Sequence, residues 1–389
     1  LTDKMKNVNS YDVAIIGGGV IGSSIAFELA AEKLRVLLLD RQQPGLEASW
    51  AAAGMLSPGG HFSGDDPLVP FAKLSFEMYP EFIAAVESAS GMSVEFSRPG
   101  AVEVFYGKEA EVERDRFCAT QAKCGLRADG ISSAEARKLE PPLGPTARAA
   151  AWLPDEAIVE PRSLMNALLA GAKARSVEVR PGCAVTAPEF EGQRCVGLVA
   201  NGERIAAQSV VLAAGCFSQQ LLGGTNPLGL AIPTKPIRGQ MVALRSDRVR
   251  LTRVLRSPKG YLVPRRAGHI ICGSTLEDAG FEKRVTPEGV RQILDAAHEL
   301  VPELSDAAVA DTWAGLRPGT PDGLPILGTT EFKGLFAATG HYRNGILLAP
   351  ATANRIARLI ITGKSEPAMA VFSPERFARA AEARRTAGS

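Results

Sequence analysis

Several things are scarce in this chain, and each scarcity removes a class of function. No apolar run reaches the roughly 20 residues a membrane-spanning helix needs. The nearest candidate, Ile346 to Ile361, is broken by Asn354, Arg355 and Arg358. The 4 histidines form no HxxxH or HExxH pattern, so a metal site has no support. The 6 cysteines, at 118, 124, 183, 195, 216 and 272, include no CxxC pair. The first ten residues, LTDKMKNVNS, are polar and lack the apolar centre of a secretory signal, so they read as a disordered leader. The cysteines therefore read as reduced core residues, and the expected compartment is cytoplasmic. A net charge of +2, with no basic run, argues against a nucleic-acid partner. Internal repeats and low-complexity tracts are also missing.

What is present is a large apolar fraction, 46% of 389 residues, enough for two domains with cores of their own. Val13 to Ile16 reads as a short buried strand, Gly17 to Gly22 as a glycine turn, Ser23 to Glu32 as a helix and Arg35 to Asp40 as a second strand. That is a βαβ opening of the kind found in parallel sheets. The pattern turns helical from about Phe71, and a charged helical region runs from Lys108 to Glu140. A helix over Arg162 to Arg175 precedes short strands and the apolar run SVVLAAG, Ser209 to Gly215. From Pro233 to Thr275 the segments GQMVAL, GYLVPRR and GHIICGST alternate more, as an antiparallel sheet would. Thr286 to Leu300 predicts a helix, and the last helix is expected to start near Pro350 and to stop at Gly363.

Gly17, Gly19 and Gly22 form GxGxxG between strand and helix, with Asp40 ending the next strand. The first glycine makes the turn, the second admits a pyrophosphate to the helix N-terminus, and the third lets helix pack on strand. Asp40 is placed to accept hydrogen bonds from ribose hydroxyls, and its charge disfavours a 2′-phosphate. FAD and NAD share this fingerprint. The chain has no second GxGxxG for a nicotinamide reductant, so a bound FAD would draw its electrons from an organic substrate. The small residues of ASWAAAGMLSPGG, Ala48 to Gly60, suit a loop lying against a flat ring system. Near the C-terminus, WAGLRPGTPDG (Trp313 to Gly323) and GHYRNGILLAPAT (Gly340 to Thr352) offer Arg317 and Arg343 among glycines and prolines, where a carboxylate is the economical ligand.

With these motifs on the page, the chain resembles the glycine oxidase and D-amino acid oxidase group of FAD-dependent amine oxidoreductases, from about Tyr11 to Ile361, and within it the thiamine-biosynthesis type. IIGGGVIGSS, SWAAAGML, YLVPR, WAGLRPGTPDG and GHYRNGILLAPAT carry the resemblance. It implies an α/β fold, α+β overall, in which a Rossmann-like FAD-binding domain (9–92, 156–229 and 313–372) is interleaved with an antiparallel-sheet substrate domain (93–155 and 230–312). Residues 1–8 and 373–389 are expected to be tails. By resemblance Arg317 anchors the substrate carboxylate and Tyr261 is its hydrogen-bonding partner. Met55, Leu276 and Arg343 complete the substrate pocket; Leu276 stands where some glycine oxidases have Met. The expected cofactor contacts are Gly17, Gly19, Val20, Ile21, Gly22, Asp40, Arg41, Ala48, Ser49, Ala53, Gly54, Met55, Val185, Gly215 and the turn His341, Tyr342, Arg343, Asn344, Gly345, Ile346 and Leu347. Leu316 to Pro318 holds no cysteine where the sarcosine oxidase branch attaches its flavin, so FAD is expected to be non-covalent.

The implied reaction is oxidation of glycine and related small amines such as sarcosine and D-alanine, with hydride transfer to the flavin and electrons passed to O2. A dehydrogenase serving a quinone or carrier is the alternative, and a non-catalytic dinucleotide-fold interaction module like the GDP-dissociation inhibitors is a third reading. For Arg343 a backbone role beside the flavin is favoured, with its side chain in solvent. The positive end of the last helix, near Ala349 and Pro350, is expected to face flavin N1 and O2. His61 and His341 read as solvated loop side chains, since hydride loss from a neutral amine needs no base. The expected partners are a small amino acid and O2, in a homo-oligomer without membrane span or nucleic acid.

Overall fold

A computed structural model describes residues 10–59, 66–222, 230 and 232–377. The expected leader and most of the expected C-terminal tail lie outside the described residues, as does His61. Two eight-stranded sheets face each other across a cleft.

The first sheet has a parallel centre in the order Glu178–Arg180, Val36–Leu39, Tyr11–Ile16, Glu203–Leu212 and Leu335–Thr339. Its apolar runs are continuous because both faces are covered, and the whole of Val36–Leu39 is buried. On one face Val20–Ala31, Leu68–Ser90, Pro161–Ala174 and Gly345–Thr362 share a core with Ile15, Leu38 and Val211. The other face is capped by a meander of Val185–Glu191 and Arg194–Ala200. Each fully buried Ile or Leu in these cores contributes about 1.5–3 kcal/mol. Four of the five parallel strands, all but Glu178–Arg180, end at the cleft, where ligand sites of open α/β sheets lie.

The second sheet runs Ala308–Gly319, Lys235–Arg245, His269–Gly273, Gly260–Pro264, Val254–Ser257, Ala101–Phe105, Ala149–Leu153 and Asp129–Ser132. It is antiparallel except where Val254–Ser257 meets Ala101–Phe105. Most of Lys235–Arg245 is buried on both faces, which dilutes the expected alternation. One face carries the helix Pro287–Leu300 and the other turns toward the cleft. Thr286 caps that helix through a hydrogen bond from the Gly289 amide, 3.1 Å.

Three expectations about elements change. The charged stretch Lys108 to Glu140 is not one helical region. Ala110–Lys123 ends at Gly125, the strand Asp129–Ser132 pairs with Ala149–Leu153, and Ser132 then caps a new helix, Ser133–Leu139, through a capping box. Arg317, whose glycine and proline neighbours suggest a loop, sits near the end of the strand Ala308–Gly319, opposite Ile237. The last helix starts at Gly345, with Pro350 inside it. A proline there leaves the carbonyl of Ile346 without its usual donor. The Tyr79 hydroxyl donates to that carbonyl at 2.6 Å. Ser75 Oγ donates to the carbonyl of Leu347 at 2.7 Å and accepts from the Ala351 amide at 3.1 Å, so two side chains of a neighbouring helix carry this turn past the proline.

Candidate active site

The cleft between the sheets holds about 990 Å³. At one end the strand Tyr11–Ile16 gives way to the glycine turn. A Cβ on Gly22 would lie 1.9 Å from the carbonyl oxygen of Gly17, so helix and strand touch where the third glycine was expected to let them. Gly17, Gly19, Val20 and Ile21 line the cleft, whereas Gly22 packs behind it. Ser49 lies not in a loop, as expected, but in the short helix Ala48–Ala51, and its Oγ accepts a hydrogen bond from the Val20 amide at 2.9 Å, which ties that helix to the first turn of Val20–Ala31.

Asp40 lines the same end and accepts from the amides of Gly18 (2.8 Å) and Gln42 (3.0 Å). Burial holds its carboxyl above the usual range. Beside it Arg41 is committed to Glu47 (2.6 Å) and lies 3.7 Å from the centre of the Phe217 ring. Ala48, Ser49, Val185 and Gly215 complete this wall. Sequence reasoning missed Phe217 and Cys216, which also line it; burial pushes the Cys216 thiol up to about 12, so it stays a neutral thiol. These sit just beyond SVVLAAG, and the small residues before them were the available signal.

At the other end Arg317 leaves its strand and crosses beneath the roof. Its Nη1 donates to the carbonyls of Arg238 (3.3 Å) and Thr275 (3.2 Å), and its Nη2 donates to Ser274 Oγ (2.7 Å). No carboxylate pairs with it among the described residues. Burial, helped by the charge of Arg343, pulls its pKa below the usual arginine value, so an anion arriving here would be welcome. Tyr261, Met55 and Leu276 border the same space, and Leu276 is 54% exposed at its rim. The Tyr261 hydroxyl also reaches Met241 Sδ, 3.5 Å away. Ser274, Met241 and Lys259 belong to this end and carried no signal in the sequence, because their role depends on which strands lie next to each other.

The turn after the strand Leu335–Thr339 joins the two ends. His341, Tyr342, Arg343, Asn344, Gly345 and Ile346 line the cleft, while Leu347 is buried behind it. Arg343 is exposed, with its guanidinium 5.2 Å from the centre of the Tyr342 ring. His341 is not the solvated side chain expected of a loop. It is buried, Nε2 lies 3.1 Å from Thr352 Oγ1, and burial drops its pKa to about 3, so it is a neutral imidazole at working pH.

A long cleft with a glycine turn and a helix N-terminus at one end, and a carboxylate-seeking arginine at the other, fits an extended dinucleotide carrying a reactive ring to the substrate. Residues 12–359 match the family described as DAO, FAD dependent oxidoreductase. The chain belongs to this family. Its cofactor is therefore FAD, and it is an FAD-dependent enzyme. It is 36% identical over 375 residues to the bifunctional protein ThiO/ThiG of Trichormus variabilis, covering 95% of this chain and 56% of that longer protein. The chain thus spans about half of that relative's length. A glycine oxidase of Pseudomonas putida is 35% identical, with 94% of this chain and 99% of that protein covered. The crystal structure of glycine oxidase from Geobacillus kaustophilus superimposes with a TM-score of 0.88 at 32% identity, covering 94% of this chain and 98% of that one. Among the described residues no helix is long and apolar enough to cross a membrane, and no cluster of side chains could hold a metal ion.

The residues present suit FAD. The amides of the first turn of Val20–Ala31 open on the cleft for a pyrophosphate, Asp40 is placed for ribose hydroxyls, and the backbone of residues 51–55 offers a flat, small-residue wall for a ring system.

Proposed function

We propose that this enzyme oxidises glycine and related small primary and secondary amines, sarcosine and D-alanine among them. One observation carries the reading: a buried guanidinium, Arg317, with no carboxylate partner among the described residues, at the roof end of an FAD cleft beside Tyr261. Arg317 holds the substrate carboxylate as a planar fork of donors, and Tyr261 fixes the second contact of the same group. Met55 and Leu276 bound the side-chain space. With the carboxylate held, the Cα–H bond is presented to the cofactor and the amine faces the cleft, an effect of orientation. When bound, FAD would supply two-electron oxidation at Cα, taking up the hydride that the substrate loses there, with O2 as the final acceptor and hydrogen peroxide as the product. The substrate loses a second hydrogen as a proton from nitrogen, and water hydrolyses the resulting imine to glyoxylate or a 2-oxo acid and ammonia or amine. Gly17, Gly19, Val20, Asp40, the 51–55 loop and Asn344 to Ile346 hold the cofactor, without a covalent bond. His341, neutral and bonded to Thr352, shapes the turn and moves no proton.

In the same reading the first sheet and its helices form the cofactor domain. The second sheet forms the roof, with the strand Ala308–Gly319 counted as part of it, so the boundary expected at residue 313 moves to the end of that strand. Similarity to a bifunctional ThiO/ThiG protein supports a role in supplying the imine for thiazole synthesis, and in this reading the enzyme works as a cytoplasmic homo-oligomer.

The test is anaerobic bleaching of the 450 nm flavin band with glycine, sarcosine, D-alanine and D-proline, followed by admission of air and peroxide assay. Bleaching by glycine with stoichiometric peroxide is the expected result. Bleaching without peroxide would make the enzyme a dehydrogenase, and no bleaching by any of the four would remove the amine reading. The kcat/KM for glycine should also rise with pH as the ammonium loses its proton.

A further inference from the structure

The segment Ala51 to Met55 lines the cleft, and three of its carbonyls are hydrogen-bonded to groups that do not line it. Ala51 O accepts from the indole Nε1 of Trp313 at 3.1 Å, and Gly54 O accepts from the Val159 amide at 2.9 Å. Between them Ala53 O accepts from Nη2 of Arg265, and the same nitrogen donates to Val159 O at 3.2 Å. Gly54 has φ +71°, and a Cβ there would meet Val159 O at 1.9 Å and Arg265 Nη2 at 2.9 Å, so this packing admits no other residue. In a trans peptide the N–H points opposite to the C=O. With the carbonyls of Ala51, Ala53 and Gly54 pinned from behind, the amides of Ala52, Gly54 and Met55 are turned toward the cleft.

Arg265 itself is unusual. Its recorded hydrogen bonds all go to main-chain carbonyls, of Pro264, Ala53 and Val159, and no ion pair joins it to a carboxylate among the described residues. The nearest acids are otherwise engaged: Glu95 pairs with Arg266 at 3.4 Å, and Glu160 caps the helix Pro161–Ala174. A largely buried cation thus stands against the loop, hydrogen-bonded to carbonyls and only in the longer-range field of Glu160 and Glu95.

We propose that Arg265 is a positioning residue for the flavin. Together with Trp313 it presents the amides of Ala52, Gly54 and Met55 to the ring system as donors, and its buried charge, with no carboxylate in contact among the described residues, favours the electron-rich reduced ring. The inference needs FAD in the cleft but not any particular amine, so it stands or falls separately from the substrate reading.

Three readouts test it on the holoenzyme: the FAD dissociation constant by fluorescence of released flavin, the visible spectrum, and the midpoint potential by dye-coupled reductive titration. For R265M we expect FAD affinity to fall about tenfold or more, as for loss of a charged hydrogen-bond donor. The flavin band should shift and the potential should become more negative. R265K, which keeps the charge but not the fork, should recover the potential more than the affinity. A merely structural role would lower thermal stability and leave the potential of the flavin that remains bound unchanged, and that result would overturn the proposal. If R265M does not accumulate as folded protein, W313F removes the donor to Ala51 O while keeping an aromatic ring beside Trp50 and Arg162. It should weaken FAD severalfold and shift the spectrum, and wild-type affinity with an unshifted spectrum would overturn the proposal as well.

Discussion

At the dinucleotide end the wall of the cleft is mostly main chain, with a glycine turn, a helix start and amides bonded to Asp40 and Ser49, whereas at the roof end it is mostly side chain. There Arg317 hangs from one strand and is steadied by Ser274, by the carbonyl of Arg238 on the neighbouring strand and by that of Thr275 just after His269–Gly273. At Gly17 and Gly22 the first kind of wall tolerates no added atom, because the neighbours there are backbone. The second can adjust, because each donor of Arg317 has its own partner and losing one leaves the others. The contrast is sharpest where the two walls are attacked by the smallest possible change. Gly22→Ala puts a methyl group 1.9 Å from Gly17 O, a distance no Cβ adopts. It should abolish FAD binding, seen as colourless purified protein, and a stoichiometric yellow variant would break the comparison at its strong end.

At the roof end the corresponding severe change is Arg317→Lys. Charge survives while the planar fork does not, so kcat/KM for the amine should fall about 100-fold. FAD content and the flavin spectrum should stay at wild-type values, since Arg317 belongs to the opposite wall. Turnover near wild type would take Arg317 out of the anchoring role, and loss of flavin would show that the two ends are not independent.

The same contrast explains what the sequence made legible. Gly17, Gly19, Gly22 and Asp40 could be read directly because backbone-built sites demand particular residues at fixed short spacings. Arg317 stood out because an arginine among glycines and prolines has few structural duties. Its supports did not stand out. Ser274 is 43 residues from Arg317, and Arg265 is 212 residues from Ala53, so each contact exists only once the sheet order is known. Pro350 misled for a related reason. Proline inside a helix is best tolerated in the first turn, and only Ser75 and Tyr79, more than 260 residues upstream, let the helix begin five residues before it. The strand Asp129–Ser132 was hidden inside a charged, helix-like composition, and its pairing with Ala149–Leu153 overrode local preference.

His341 probes the junction between the two walls. Its folded-state pKa, about 3, lies below the ordinary 6.5, so the unfolded chain takes up a proton on this group before the folded one does. Its contribution is fully present above pH 6.5 and is lost as pH falls toward 3, with a limiting slope of about 1.4 kcal/mol per pH unit. Stability from urea melts at several pH values should therefore drop on the acid side, and His341→Gln should flatten that limb. An identical acid limb in both proteins would place the pH dependence in other groups.

Ser274→Ala should have the smallest effect, and it decides whether the roof is adjustable in the way supposed. Ser274 Oγ is one of three groups holding the Arg317 guanidinium, and the other two are main-chain carbonyls that the substitution does not touch. Losing a single hydrogen bond at a charged group that keeps its other partners costs about 1 kcal/mol, or roughly fivefold in KM, with kcat little changed. The freed donor on Nη2 also becomes available to the substrate carboxylate, which works against that loss and makes a fivefold change an upper expectation. A fall in kcat/KM as deep as that of Arg317→Lys would mean that the serine alone sets the plane of the fork. The roof would then be as unforgiving as the glycine turn, its rigidity resting on one hydroxyl instead of on the backbone.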